Sequence, residues 1–232
     1  MRKLLIAIAF FLCAGVQALN EEARLLHQIL EGYDPRVRPV IDSRNPVNVA
    51  LKVYPIDMFE KVPHDNVYSI NAYISLEWAD QHLAWNPADY FNISRIRVQP
   101  YKGDKSPVIW TPDLVMWSGK FDELDVFPTR AVIYHDGTVR WFQHRSMTVP
   151  CAKKVEGGVT RVKCMPAMGS WAYPEKEMNL QAGLAEKGVG RKLPGSKWRL
   201  ASQNINKTSL FYPYETSPYI EITYALEYES EQ

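Results

Sequence analysis

Phe211, Tyr212, Tyr214 and Tyr219 fall within nine residues and are interrupted by Pro213 and Pro218. Proline fixes its own φ and narrows the choices of the residue before it, so such a loop holds its rings out with little freedom to collapse. The face of an aromatic ring attracts organic cations, each contact contributing roughly 0.5 to 2 kcal/mol. The same residues have a structural use, in which an edge loop tucks its tyrosines onto a sheet. Alternation singles out two tyrosines further. Tyr73 shares a face with Ser75 and Glu77, opposite Ile70, Ile74 and Trp78, and Tyr219 shares one with Glu221 and Thr223, opposite Ile220, Ile222 and Tyr224.

Other chemistries find no support. The chain has no Gly-x-Ser-x-Gly elbow, no His-Glu-x-x-His pair and no Gly-x-x-x-x-Gly-Lys phosphate loop. Gly188-Val189-Gly190 begins like a dinucleotide fingerprint, but Leu193 stands where its third glycine belongs. The histidines (His27, His64, His82, His135 and His144) lack ligand spacing, so neither a metal nor a cofactor is expected, and no enzyme. With 27 basic against 26 acidic residues in 232, and no basic run longer than two, nucleic acid is not an expected partner. A hydrophobic content of 46% excludes a disordered chain.

The elements that must position these rings are mainly strands. One helix comes first: Asn20 suits an N-cap, Glu21 and Glu22 the positive end of the helix dipole, and Leu26, Ile29, Leu30 and Tyr33 share a face. Gly32 and Asp34-Pro35 stop it. The hydrophobic period then changes from 3.6 to 2. Val47, Val49, Leu51 and Val53 alternate with polar or small residues, as do Ile70, Ala72, Ile74, Leu76 and Trp78. Further strands are expected at 130–134 and 138–142, joined by His135-Asp136-Gly137, and at 219–228. Residues 176–195, rich in glycine and lysine, are expected to form a surface loop. The expected fold is all-β: an immunoglobulin-like β-sandwich of one domain, residues 19–232, with an N-terminal α-helix.

Residues 1–18 are expected to be an export signal: Arg2 and Lys3 precede an apolar run from Leu4 to Val16 that is too short to span a bilayer, and Val16-Gln17-Ala18 suits cleavage. Its removal takes away Cys13 and leaves Cys151 and Cys164 in a chain bound for an oxidising compartment, where they are expected to form a disulfide. Closing a loop of this length is worth about 3 kcal/mol in the chain-entropy picture. The triplets Asn92-Ile93-Ser94 and Asn206-Lys207-Thr208 are candidate glycosylation sites in the same compartment. No later stretch is long and apolar enough to span a membrane, so the expectation is a soluble, secreted protein.

A set of motifs then occurs in a fixed order. Val37-Arg38-Pro39-Val40 follows the helix, and Glu77-Trp78-Ala79-Asp80, Trp85-Asn86-Pro87, Trp110-Thr111-Pro112-Asp113 and Asp136-Gly137-Thr138-Val139 come next. The cysteine pair, Gly169-Ser170-Trp171 and Tyr219-Ile220-Glu221-Ile222-Thr223-Tyr224 complete the series. With them the chain resembles, from end to end, the extracellular ligand-binding domain of Cys-loop receptors, and among these it is most similar to the soluble acetylcholine-binding proteins. The stretch between its cysteines is polar, lacks the Phe-Pro-x-Asp core of the membrane receptors and is one residue shorter than theirs. The chain also stops where a receptor would begin its first membrane helix.

The resemblance implies a homopentamer whose sites lie between subunits, each an aromatic box for a quaternary ammonium such as acetylcholine. The principal face would carry Trp117, Trp171, Tyr212 and Tyr219, and the complementary face Tyr73, Val132, Arg140 and Phe142. There are departures. Tyr214-Glu215-Thr216 stands where cholinergic members have two adjacent cysteines, Trp117 replaces a usual tyrosine, and Tyr73 replaces a usual tryptophan. A guanidinium at Arg140 aimed into the box would repel a cation. The alternative is therefore a ring-forming accessory homologue whose altered box does not bind cholinergic ligands.

Overall fold

The computed structural model describes residues 21–62, 65–104, 106–122, 129–184 and 195–230. The export signal, the Asn20 cap, His64 and Gly188–Gly190 lie outside them. Helix α1 (Glu21–Leu30) opens the described chain and is followed by twelve strands, with one 3-10 turn at Pro87–Tyr90. Its most buried residue is Leu25, with no exposed surface, while Leu26, Ile29, Leu30 and Tyr33 pack half-buried against the core. The apolar face is therefore rotated towards Leu25 relative to the one expected.

Two sheets face each other across the core. The first is built on β1 (Val47–Val62), β2 (Val67–Ala79) and β7 (Thr138–Glu156), in the order β10-β1-β2-β7, with β3 (Arg95–Val98), β5 (Lys120–Phe121) and β6 (Ala131–Tyr134) completing it. The second is built on β12 (Tyr219–Ser230), paired on one edge with β11 (Trp198–Leu210) and on the other with β8 (Val159–Cys164) and β9 (Ala167–Ser170), beyond which lies β4 (Leu114–Met116). Strand β7 belongs to both: its residues up to Pro150 pair with β2, and those from Cys151 pair with β8. Cys151 and Cys164, directly opposite in register, form the expected disulfide at this crossover. The stretch between them is a hairpin turning on Gly157 and Gly158, with φ of 58° and 81°, left-handed values that glycine adopts without strain.

The expected alternation is present, and its limits have causes. Val47, Val49, Leu51 and Val53 face the core, but a bulge between Pro55 and Asp57 shifts the phase, so the next inward residue is Met58. On β7, Val139, Trp141, Met147 and Val149 point inward, and so do Gln143 and Arg145, whose polarity hides the strand's continuation past Phe142. Residues 176–195 are not wholly loop: β10 (Met178–Gly183) pairs in parallel with the start of β1, burying Met178 and Leu180. Only alternate positions of that short strand are apolar, which composition does not distinguish from a loop.

Two polar anchors tie the layers. The Tyr224 hydroxyl donates to the Leu51 carbonyl at 2.9 Å, joining the second sheet to the first. Asp80, wholly buried, accepts from the Tyr33 hydroxyl at 2.6 Å, and that hydroxyl accepts from the Trp110 N–H at 2.9 Å. Burial pushes the Asp80 carboxyl above its ordinary range, and the Tyr33 hydroxyl is driven far up by burial and by that carboxylate. The Glu-Trp-Ala-Asp and Trp-Thr-Pro-Asp motifs thus join the helix, the strand end and the loop leading to β4.

Candidate ligand-binding surface

Trp117, Trp171, Tyr212 and Tyr219 all stand at strand ends of the second sheet. Trp117 follows β4, Trp171 follows β9, Tyr212 follows β11 and Tyr219 begins β12. Trp117 pairs at the Ala167 end of β9, its backbone N–H donating to the Ala167 carbonyl at 2.8 Å, whereas Trp171 lies at the other end of that strand. Their rings nevertheless stack, with centroids 5.7 Å apart and planes at 30°. Gly169 permits this: a Cβ there would lie 2.8 Å from Trp117 Nε1 and 2.6 Å from the Ile220 carbonyl oxygen. The indole lies back across a position where any side chain would collide with it.

The Trp171 turn is held by Asp113. One carboxylate oxygen accepts from Ser170 Oγ at 2.6 Å and the other from the Ala172 N–H at 2.7 Å, while Ser170 Oγ accepts from the Tyr173 N–H at 2.8 Å. The tryptophan of the same Trp-Thr-Pro-Asp motif, Trp110, is buried edge-on against Trp78. The motif therefore supplies one core ring and one carboxylate that orients a neighbouring turn, leaving Trp171 69% exposed.

The proline-rich loop leans onto this turn. Tyr212 meets Tyr219 edge-on at 5.5 Å and stacks on Tyr214 at 5.5 Å. The Tyr219 hydroxyl reaches the Ala172 carbonyl at 3.5 Å, and the Glu175 N–H donates to the Pro218 carbonyl at 2.7 Å. Burial, with the Glu215 carboxylate close by, raises the Tyr219 hydroxyl above its usual value, so it is a neutral donor at physiological pH. At the tip, Lys176 Nζ donates to Thr216 Oγ1 at 3.2 Å and pairs with Glu215 at 3.6 Å. A half-exposed polar tie of this kind contributes under about 1 kcal/mol, less than a covalent link would.

Tyr73, Val132, Arg140 and Phe142 lie on the outward face of the first sheet. Register places Val132, Arg140 and Glu77 in one row across β6, β7 and β2, Phe142 beside Ser75 in the next, and His144 beside Tyr73 in the third. Tyr73 is 42% exposed and its ring contacts His144 at 5.4 Å, while Phe142 is 46% exposed and lies 6.1 Å from Tyr54. Arg140 is not a bare cation. Its Nε donates to Glu77, which raises the guanidinium's pKa above its ordinary value, and its charge sits 5.1 Å over the Tyr134 ring. The row is an internally neutral pair beside two rings.

Sequence reasoning passed over three contributors. Alternation puts Glu77 on the outward face with Tyr73, but its pairing with Arg140 needs the β2–β7 register. Gly169 and Asp113 stand in the Gly-Ser-Trp and Trp-Thr-Pro-Asp motifs, and neither motif's spacing tells what the residue touches. Behind Trp171 and Asp113 a cavity of about 880 Å³ runs between the sheets past Tyr101, Trp141 and Gln143. Arg145 closes part of its wall, donating to Gln143 Oε1 at 2.9 Å and lying 5.2 Å over the Phe121 ring. Among the described residues no cluster of side chains could hold a metal, and no helix is long and apolar enough to cross a membrane.

Residues 22–229 match the model of the neurotransmitter-gated ion-channel ligand binding domain. The chain is similar to acetylcholine receptor subunit alpha-type acr-16 of Caenorhabditis briggsae, 27% identical over 96% of the chain and 44% of the relative. It is also similar to neuronal acetylcholine receptor subunit beta-3 of Rattus norvegicus, 29% identical over 92% of the chain and 45% of the relative. A third relative is neuronal acetylcholine receptor subunit alpha-10 of Rattus norvegicus, 24% identical over 90% of the chain and 47% of the relative. The chain spans less than half the length of each.

Proposed function

This chain belongs to the neurotransmitter-gated ion-channel ligand-binding domain family, a family of ligand binders and not of enzymes, and from that premise we propose a secreted, soluble homopentamer that binds a small organic cation between subunits. The principal surface of one subunit, Trp117, Trp171, Tyr212 and Tyr219, meets Tyr73, Val132, Arg140 and Phe142 of the next. The observation that carries the reading is the gathering of four rings from four strand ends onto one exposed patch, with Asp113 fixing the central one. Such a patch is worth little to folding, since Trp171 keeps most of its surface in solvent, and it suits a cation whose charge several ring faces share. The names of the relatives make acetylcholine the first ligand to try. Cys13 leaves with the export signal, and Asn92 and Asn206, both exposed, carry glycans.

Titration calorimetry with acetylcholine and with nicotine tests the ligand, and light scattering tests the ring. Micromolar or tighter binding by a species of five subunits supports the reading, and silence at millimolar concentrations removes the cholinergic part. One observation favours the second reading, a ring-forming homologue whose box refuses cholinergic ligands: Trp117 already covers a face of Trp171. Under it, calorimetry is silent while scattering still gives a pentamer.

A further inference from the structure

Phe91 is 72% exposed and sits in the left-handed backbone region, at φ 50° and ψ 38°. Asn92 follows at φ 60°, and the third non-glycine residue of positive φ among the described residues is Asn66. Asparagine enters this region readily, whereas a bulky aromatic does so only when the surroundings force it. The surroundings here are packed and hydrogen-bonded. Tyr90 is buried with the Arg24 guanidinium 4.4 Å over its ring, and the Ile93 carbonyl accepts from Trp85 Nε1 at 2.7 Å. Between these anchors the Ile93 N–H donates to the Tyr90 carbonyl at 2.9 Å, and the Asn92 N–H to the Pro87 carbonyl at 2.9 Å. The tight turn drives both side chains outward. Phe91 is thus strained and also loses the burial that ordinarily rewards an aromatic side chain.

The next residue begins the Asn92-Ile93-Ser94 triplet. We propose that Phe91 is a carbohydrate platform, its ring packing against the first N-acetylglucosamine of a glycan on Asn92. The platform rests on the reading above that the chain passes through a glycosylating compartment. In the attachment, Asn92 Nδ2 loses a proton and forms a bond to the anomeric carbon of an oligosaccharide, and the lipid diphosphate of the donor leaves with the bonding pair. The sugar is then tethered one residue, about 3.8 Å of backbone, from the ring. A pyranose presents a face of C–H groups to which the negative face of an aromatic ring is complementary. A solvent-exposed ring beside a bare asparagine has no such partner.

The test uses the full chain with Asn206→Gln, secreted from eukaryotic cells, so that Asn92 carries the only glycan. Trimming it to one N-acetylglucosamine is expected to leave the melting temperature unchanged, and removing that last sugar to lower it by about 2–4 °C, the scale of one good contact in a domain this size. In Phe91→Ala and Phe91→Gly the last step shifts it by under about 1 °C, and Phe91→Trp restores the shift. Sugar-free Phe91→Gly is expected to melt no lower than the sugar-free parent, because glycine relieves the left-handed strain. Equal shifts with and without the ring overturn the platform. So does a bare Asn92 in the chain with both sequons intact, by peptide mass spectrometry: with Asn206 glycosylated, export stands and only the Asn92 glycan and its platform fail, and with both bare the export reading falls too.

Discussion

Trp117, Trp171, Tyr212 and Tyr219 stand at strand ends, the two tryptophans held from behind by Asp113, Ser170 and a close-fitting glycine, whereas Tyr73, Val132, Arg140 and Phe142 ride on the middle of a continuous sheet. The difference is one of support. A ring on a sheet is aimed by the ladder beneath it, and its neighbours are fixed by register alone. Trp117 and Trp171 lie beyond the ends of their strands, so the turn fixed by Asp113 and the space cleared at Gly169 do for them what the ladder does for the sheet-borne rings. The strand-end patch is therefore more fragile to single changes than the sheet patch.

The sharpest way to break that contrast is Gly169→Val. Its side chain would drive into the Ile220 carbonyl and the Trp117 indole, so a loss of about 3 kcal/mol or failure to fold is expected by denaturant titration. The sheet-borne control Val132→Ala should stay under about 1.5 kcal/mol, its side chain being only partly buried; equal losses would erase the distinction. Next is Asp113→Ala, which leaves the Ser170 hydroxyl and the Ala172 N–H without their acceptor and should cost about 1–3 kcal/mol. It should also loosen Trp171, seen as a red shift in tryptophan emission. Trp171→Ala should change stability by under about 1 kcal/mol, because most of the ring is in water, yet weaken any bound cation at least tenfold by calorimetry.

The smallest effects belong to the Arg140–Glu77 pair. Both side chains are nearly half exposed, so either truncation should move stability by under about 1 kcal/mol. Their effects on a cationic ligand should have opposite signs. Arg140→Ala leaves Glu77 unbalanced and should tighten binding about threefold, and Glu77→Gln leaves Arg140 unbalanced and should weaken it by a similar factor at low salt. Shifts of the same sign would mean that the pair does not face the ligand.

What was legible in the chain follows from which interactions are local. The period of 2 showed the faces of β1, β2 and β12, and so the exposure of Tyr73, because side-chain direction on a strand is set by sequence parity. The pattern failed at Pro55, where a bulge changed the phase, and beyond Phe142, where Gln143 and Arg145 face a half-open cavity instead of a solid core. On α1 the periodicity found the helix but chose Leu26 over Leu25, since the docking angle onto the sheets is a tertiary quantity. The short β10 escaped because its pairing to β1 is parallel and distant in sequence, with no turn to announce it.

The sequence by itself determined the all-β class, the cysteine pairing, the order of motifs and the candidate rings, because parity, cysteine count and motif order are properties of the chain alone. Only the tertiary structure decided what those rings touch: that Trp117 lies back across Gly169 to stack on Trp171, that Asp113 clamps the turn, and that Arg140 is neutralised by Glu77. These contacts join residues more than fifty positions apart. Their partners are chosen by strand register and by the space between sheets, neither of which exists until the chain has folded.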